Sequence, residues 1–161
     1  MGAWARRGLS IIVLAIAVTS AVPASGAELT RHEYVARAEG ICKVGVAKAG
    51  PLITAGFHQV QANKVGSAAP KFTEAAKVYE GVRRRLLGIP TPGADAKNLT
   101  AWLKRLEIQN EFLALSGKAL DEGLRVKAQG FFTRFIHNGN LANDLVLGYG
   151  FKSCLFHQQV K

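Results

Sequence analysis

Cys42, Cys154 and His157 are the residues whose chemistry is easiest to name. A thiolate served by a histidine three residues on is a nucleophile when a third group holds the imidazole in place. Nothing near Cys154 and His157 in sequence reads as that orienting group. The competing chemistry is a disulfide. Two cysteines in a chain bound for an oxidising compartment are expected to pair. Two are too few for a four-thiolate zinc site or a cysteine-rich mini-protein.

The other reactive side chains form no recognisable set. His32, His58, His137 and His157 are scattered, with no His-Glu-x-x-His and no partner four residues away. A bundle di-metal site repeats a carboxylate with a histidine three residues later, and no Glu-x-x-His occurs. Glu107 and Glu111 share a helix face, but they pair as naturally with Lys104 and Arg105. Gly-x-Ser-x-Gly, a Walker loop and Gly-x-Gly-x-x-Gly are all missing from the sequence. Gly148-Tyr149-Gly150 reads as a helix end, and the sequon Asn98-Leu99-Thr100 matters only in a pathway that glycosylates. No catalytic residue, metal ligand or cofactor is assigned, and the chain is read as non-enzymatic.

Charge gives the remaining functional signal. Lys and Arg outnumber Asp and Glu by 21 to 11, a bias that suits anionic partners and says nothing of fold. Arg83, Arg84 and Arg85 form the densest run, with Lys77 one or two turns earlier. Three successive helical side chains fan too widely to face one flat surface, so Lys77 and Arg84, seven apart, make the likelier patch centre. The expected partner is an anionic envelope polymer or lipid headgroup outside the membrane; a protein partner has no signature. Nucleic acid is not expected, because no recognition motif accompanies the charge.

The first 27 residues look like an address. Arg6 and Arg7 form a basic start, Leu9 to Ala21 an apolar stretch, and Ser25 and Ala27 a small-residue cleavage site. No apolar run reaches the roughly 18 residues of a membrane span. No cysteine follows the apolar stretch to take a lipid. The reading is a signal peptide over residues 1–27 and one exported domain over residues 28–161, with an uncleaved anchor as the alternative.

That domain carries 3.6-residue periodicity throughout, so an all-α, four-helix up-down-up-down bundle is expected. Thr30 and Glu33 form a capping box at the start of the first helix. Gly50-Pro51 should kink or end it, with a further piece to about Asn63. The stretch from Asn63 to Ala69 reads as a connection, and Pro70 as first-turn proline of the second helix. That helix stops near Gly88, before Pro90 and Pro92. The third begins near Asp95, and the fourth follows Asp121-Glu122-Gly123 and carries Leu145, Val146 and Tyr149. His137-Asn138-Gly139-Asn140 is poor in helix formers and a place for a local kink. Gly150 should be a left-handed stop, with Phe151 folded back on Val146. Trp102, Leu106, Phe135 and Leu145 are the expected core.

Three stretches, in order, resemble a set of small exported or lipoprotein-type helical proteins of actinobacteria. They are Tyr34 to Cys42 with its Ile-Cys end, Pro90-Thr91-Pro92 followed by Trp102-Leu103, and Ala142-Asn143 followed by Gly150 to Cys154. The resemblance implies an exported helical domain with a disulfide from the first helix to the C-terminal end. It brings no catalytic residue, and this chain lacks the lipid-bearing cysteine of many members. Two further functions stay open beside a binding module. One is a small-ligand carrier with an apolar cleft lined by Phe131, Phe135 and Trp102. The other is an enzyme whose site assembles only in three dimensions.

Overall fold

The computed structural model describes residues 28–155. The proposed signal peptide, residues 1–27, and His157 lie outside the described residues. Four helices follow in order: α1 (Arg31–Gln61), α2 (Val65–Leu87), α3 (Ala96–Asp121) and α4 (Arg125–Asp144). Single 3-10 turns at Gly93–Asp95 and Leu147–Tyr149 precede α3 and follow α4. No strand occurs among the described residues, and no helix there is long and apolar enough to cross a membrane. The chain is an all-α, up-down-up-down four-helix bundle with one disulfide.

The local stop and start signals act as expected at most ends. The Thr30 hydroxyl accepts the Glu33 N–H at 3.2 Å, and the Glu33 carboxylate accepts the Thr30 N–H at 2.8 Å. Gly88 caps α2, and Gly123 and Gly150 take left-handed φ values of 73° and 80°.

The helix bounds depart from expectation at several places, each for a physical reason. Pro51 neither ends nor interrupts α1, which is helical from Arg31 to Gln61. A proline removes only its own N–H from the ladder, freeing the carbonyl four residues earlier. Pro51 and Ala47 are both exposed, so water can take that carbonyl. The α1–α2 turn is correspondingly short. Asn63 adopts φ 61°, the Lys64 N–H donates to the Gln59 carbonyl at 2.8 Å, and α2 already runs by Val65. Gly66 and Ser67 are therefore helical, and Pro70 lies past the first turn, again on an exposed face. At the other end α4 stops at Asp144, so Leu145 and Tyr149 lie beyond it. The His137–Asn140 stretch is helical throughout. Asn138, buried there, donates to the Arg105 carbonyl at 2.6 Å and so cross-links α4 to α3.

The core divides into two clusters. One gathers Tyr34, Cys42, Leu86, Trp102, Val146 and Phe151 near the bundle end where α1 begins. The other gathers Ala49, Ala69, Phe72, Leu113 and Phe135 toward the opposite end. Trp102 and Phe135 are buried as expected, whereas Leu106 and Leu145 are only half-buried. Leu106 borders an opening, and Leu145 sits on the frayed end of α4.

The α2–α3 seam is tight at Gly117. A Cβ there would stand 3.0 Å from the Thr73 backbone nitrogen and 3.2 Å from the Ala69 carbonyl oxygen. Gly81 of α2 has open space. Alanine gains about 1 kcal/mol over glycine in a helix interior, and overpacking against backbone costs about 1–3 kcal/mol. Gly81→Ala should therefore raise the melting temperature and Gly117→Ala should lower it, both read by thermal unfolding.

A candidate ligand cleft between the first and last helices

Each helix packs on its neighbour in sequence, α1 on α2, α2 on α3 and α3 on α4. The ring does not close in the same way, since α1 and α4 make no extended backbone approach. Two side-chain devices span the gap. Near the α2 and α3 side, the Phe57 ring of α1 stands edge-on to Phe132 of α4, with centroids 4.5 Å apart, and to Phe72 at 5.3 Å. At the other end the chain after α4 returns across α1. Cys154 is bonded to Cys42 with Cα atoms 5.0 Å apart. Glu39, one turn before Cys42, accepts the backbone N–H groups of Lys152, Ser153 and Cys154 at 2.8, 2.9 and 3.1 Å. Burial alone would push the Glu39 carboxyl up. The three N–H donors outweigh it and hold the group below the ordinary carboxylate range.

A second tie fixes the same returning segment. The Arg31 guanidinium donates through Nε to Asp95 Oδ2 at 2.8 Å and through Nη2 to Oδ1 at 2.5 Å. The Tyr149 hydroxyl donates to Asp95 Oδ1 at 3.1 Å. Asp95 is thus the residue before α3, as expected, but its carboxylate serves Arg31 rather than capping the helix. Arg31 and then Tyr149 hold the Asp95 carboxyl below its usual range, against the cost of burial. Arg31 also lies 4.7 Å from the Tyr149 ring centroid. Tyr149 stacks on Phe151 at 6.0 Å, and Phe151 on Trp102 at 5.2 Å.

Between the aromatic wedge and the disulfide lies a cleft of about 110 Å³. Val46, Gly50 and Ile53 of α1 form one wall, and Phe132, Phe135 and Ile136 of α4 the other. Val82 and Leu86 of α2 and Leu106 of α3 form the floor, and the Cys42–Cys154 bridge with Leu155 closes one end. The polar side chains around it are few. Arg83 is locked to Glu80 by a two-pronged bond, Nε to Oε2 and Nη2 to Oε1, both 2.9 Å. Glu80 also accepts from Asn110 Nδ2 at 3.5 Å, which leaves Asn110 Oδ1 buried with no partner. Arg83 first, and Arg84 with it, hold the Glu80 carboxyl below its usual range. Burial pushes the Tyr79 phenol up to about 12, so it stays neutral.

The residues expected to carry function are thereby sorted. Cys42 and Cys154 are joined, so neither is a free nucleophile. Phe135 lines the cleft, whereas Phe131 and Trp102 do not. Trp102 is in the other cluster, under Phe151. The basic run is split, with Arg83 mostly buried at the cleft, Arg84 exposed but 3.6 Å from Glu80, and Arg85 exposed. Lys77 is exposed as well. Among the described residues no three metal-ligating side chains come together. The sequence reading missed Glu39, Asp95 and Gln109. Gln109 alone left a signal, as a polar residue at the spacing of Trp102, Leu106 and Leu113.

Two outcomes follow from the ties. The disulfide spans 112 residues of sequence, and in the chain-entropy account such a loop contributes roughly 4–5 kcal/mol through the unfolded state. Cys154→Ser should lower the melting temperature strongly while far-UV circular dichroism stays helical. The pH dependence has a definite sign. Asp95 and Glu39 release their protons at lower pH in the folded protein than in the unfolded chain. Their stabilisation is complete above the ordinary carboxylate range and is lost as pH falls through the folded values. Melting temperatures at pH 7 and pH 3 should show this fall, and Asp95→Asn should make it smaller.

Set against family models, curated proteins and solved structures, this sequence and this bundle match none.

Proposed function

We propose that residues 28–161 form an exported, non-enzymatic binding domain that takes a small apolar ligand into the cleft between α1 and α4. The observation that carries this reading is the cleft itself, walled by apolar side chains from all four helices with a few polar groups at its edge. Sites of this make-up are the usual form of small-molecule pockets. An engineered cavity of about 150 Å³ holds benzene, so 110 Å³ with an open side suits one ring or a short alkyl chain. Export is supported by the disulfide, which belongs to an oxidising compartment, and by the order of residues in the first 27.

A docking role toward anionic polymer or lipid headgroups, centred on Lys77, Arg83, Arg84 and Arg85, has less behind it. Arg83 is already satisfied by Glu80, and exposed Arg84 shares the same carboxylate. That leaves Lys77 and Arg85, too few charges for a strong electrostatic footprint.

Toluene, followed by thermal unfolding and by amide chemical shifts, tests the cleft. A ligand that binds only the folded state at a hundredfold over its Kd adds about 2.7 kcal/mol. The melting temperature should rise with toluene, and shifts should concentrate on residues 46–54 and 132–136. Val46→Phe, which fills the cleft, should abolish both effects, while Val126→Ala, exposed in the first turn of α4, should leave them intact. No shift at any of these residues would remove the reading.

A further inference from the structure

Gln109 is out of place by every rule of core composition. It lines the cleft and is only 7% exposed. Its side-chain amide makes no hydrogen bond to another described residue but keeps access to the cleft, whereas Asn110 Oδ1 on the same cleft is fully buried and unpartnered. A ligand that covered the amide without bonding it would leave it unpaired, at a cost. Apolar side chains of the same size would fill the position at no such cost, as Leu106 and Leu113 do on the same stripe of α3. The amide offers one acceptor and two donors, all neutral.

The surroundings decide what could meet it. Tyr79 on the same cleft is neutral. Among the described lining residues the one cation, Arg83, is charge-paired with Glu80 through Nε and Nη2, and Glu80 stays ionised. A carboxylate entering the cleft would lose its hydration and meet a cation whose charge Glu80 already balances. A hydroxyl carries a donor and an acceptor and no charge, and it can bond an amide in both senses.

We propose that Gln109 is a specificity-determining residue of the cleft, selecting apolar ligands that carry one hydroxyl over bare hydrocarbons and over carboxylates. This rests on the reading of the cleft as a ligand site, and it adds the class of ligand. The mechanism is differential. A hydroxylated ring satisfies the amide, a bare ring leaves it buried and unpaired, and discrimination of this kind is stronger than any set by a methylene's worth of space.

Phenol, toluene and benzoate share one ring and differ at one group, so calorimetric titration of the three against the purified protein and against Gln109→Met is the test. Methionine keeps the volume and removes the polar atoms. One hydrogen bond is worth about 1.4 kcal/mol, or tenfold in affinity. The ratio of phenol to toluene affinity should fall about tenfold in Gln109→Met, through weaker phenol and unchanged or tighter toluene. Benzoate should bind at least tenfold more weakly than phenol to the unsubstituted protein. Toluene binding by Gln109→Met shows at once that the variant is folded and its cleft open. An unchanged phenol-to-toluene ratio overturns the role of Gln109 and leaves the cleft reading standing. Benzoate as the tightest of the three overturns the neutral-ligand class and points to Arg83. Binding of none of them by either protein removes the cleft reading and this one together.

Discussion

The fold depends on one constraint: α1 and α4 must be held at a fixed distance without a close backbone approach. Three of the four seams of the bundle are closed by helix on helix, and the fourth is closed by the segment after α4. Glu39 and Cys42 lie one turn apart on α1, so a carboxylate and a disulfide act on the same few residues of the return. Their roles differ. The disulfide fixes how far the segment can move. The carboxylate fixes its orientation, because three successive N–H groups point into one acid only when the backbone curls into a small concavity. The left-handed Gly150 sets up that curl immediately before it.

The stack of Arg31, Tyr149, Phe151 and Trp102 carries the same constraint from the surface into the core. Arg31 is 52% exposed and Asp95 only 4%. An ion pair open on one side gains little from its own Coulomb attraction. Its weight lies in Asp95, whose buried charge would stand uncompensated without Arg31. The proline-stiffened connector before the Gly93–Asp95 turn delivers that carboxylate to the start of α1. Helix starts and the returning segment thus meet around one acid, at the end of the bundle opposite the Phe57–Phe132 wedge.

How much of this could be read from the sequence follows from the range of each interaction. Thr30 with Glu33, Gly123, Gly150 and the Pro90–Pro92 connector act within a turn of chain, and their signals were legible. So was the pairing of the two cysteines, which an oxidising compartment would leave one fate. Pro51 does not end its helix, because breaking a helix is not a property of proline alone. It depends on whether the freed carbonyl faces water, which a tertiary structure decides. The start of α2 was misread because Gly66 and Ser67 carry turn propensity that packing of Ala68 and Ala69 overrides. Asp95 and Glu39 look like surface acids until partners 64 and more than 110 residues away arrive. Arg83 looked like part of an outward basic run. Its neighbour three residues back, Glu80, was an available hint that it turns along the helix instead.

The cleft is the geometric result of unequal side-chain sizes on the four seams. Where α2 meets α3, the facing residues include Ala69, Thr73 and Gly117, and at Gly117 the backbones come within the reach of a single Cβ. Helices separated by small residues settle near the lower end of the 8–10 Å range of axis spacings. The facing residues of α1 and α4 include Phe57 and Phe132, whose rings meet edge to face and cannot collapse further, with Phe135 tilted against Phe132. A four-helix ring with one wide side and three narrower ones must open along the wide side. The disulfide and the Glu39 clamp then prevent the opening from being relieved by α1 sliding toward α4. The space that remains faces the Gln109 and Asn110 amides of α3, so the position of the cleft and the polar groups on its floor arise from the same packing arrangement.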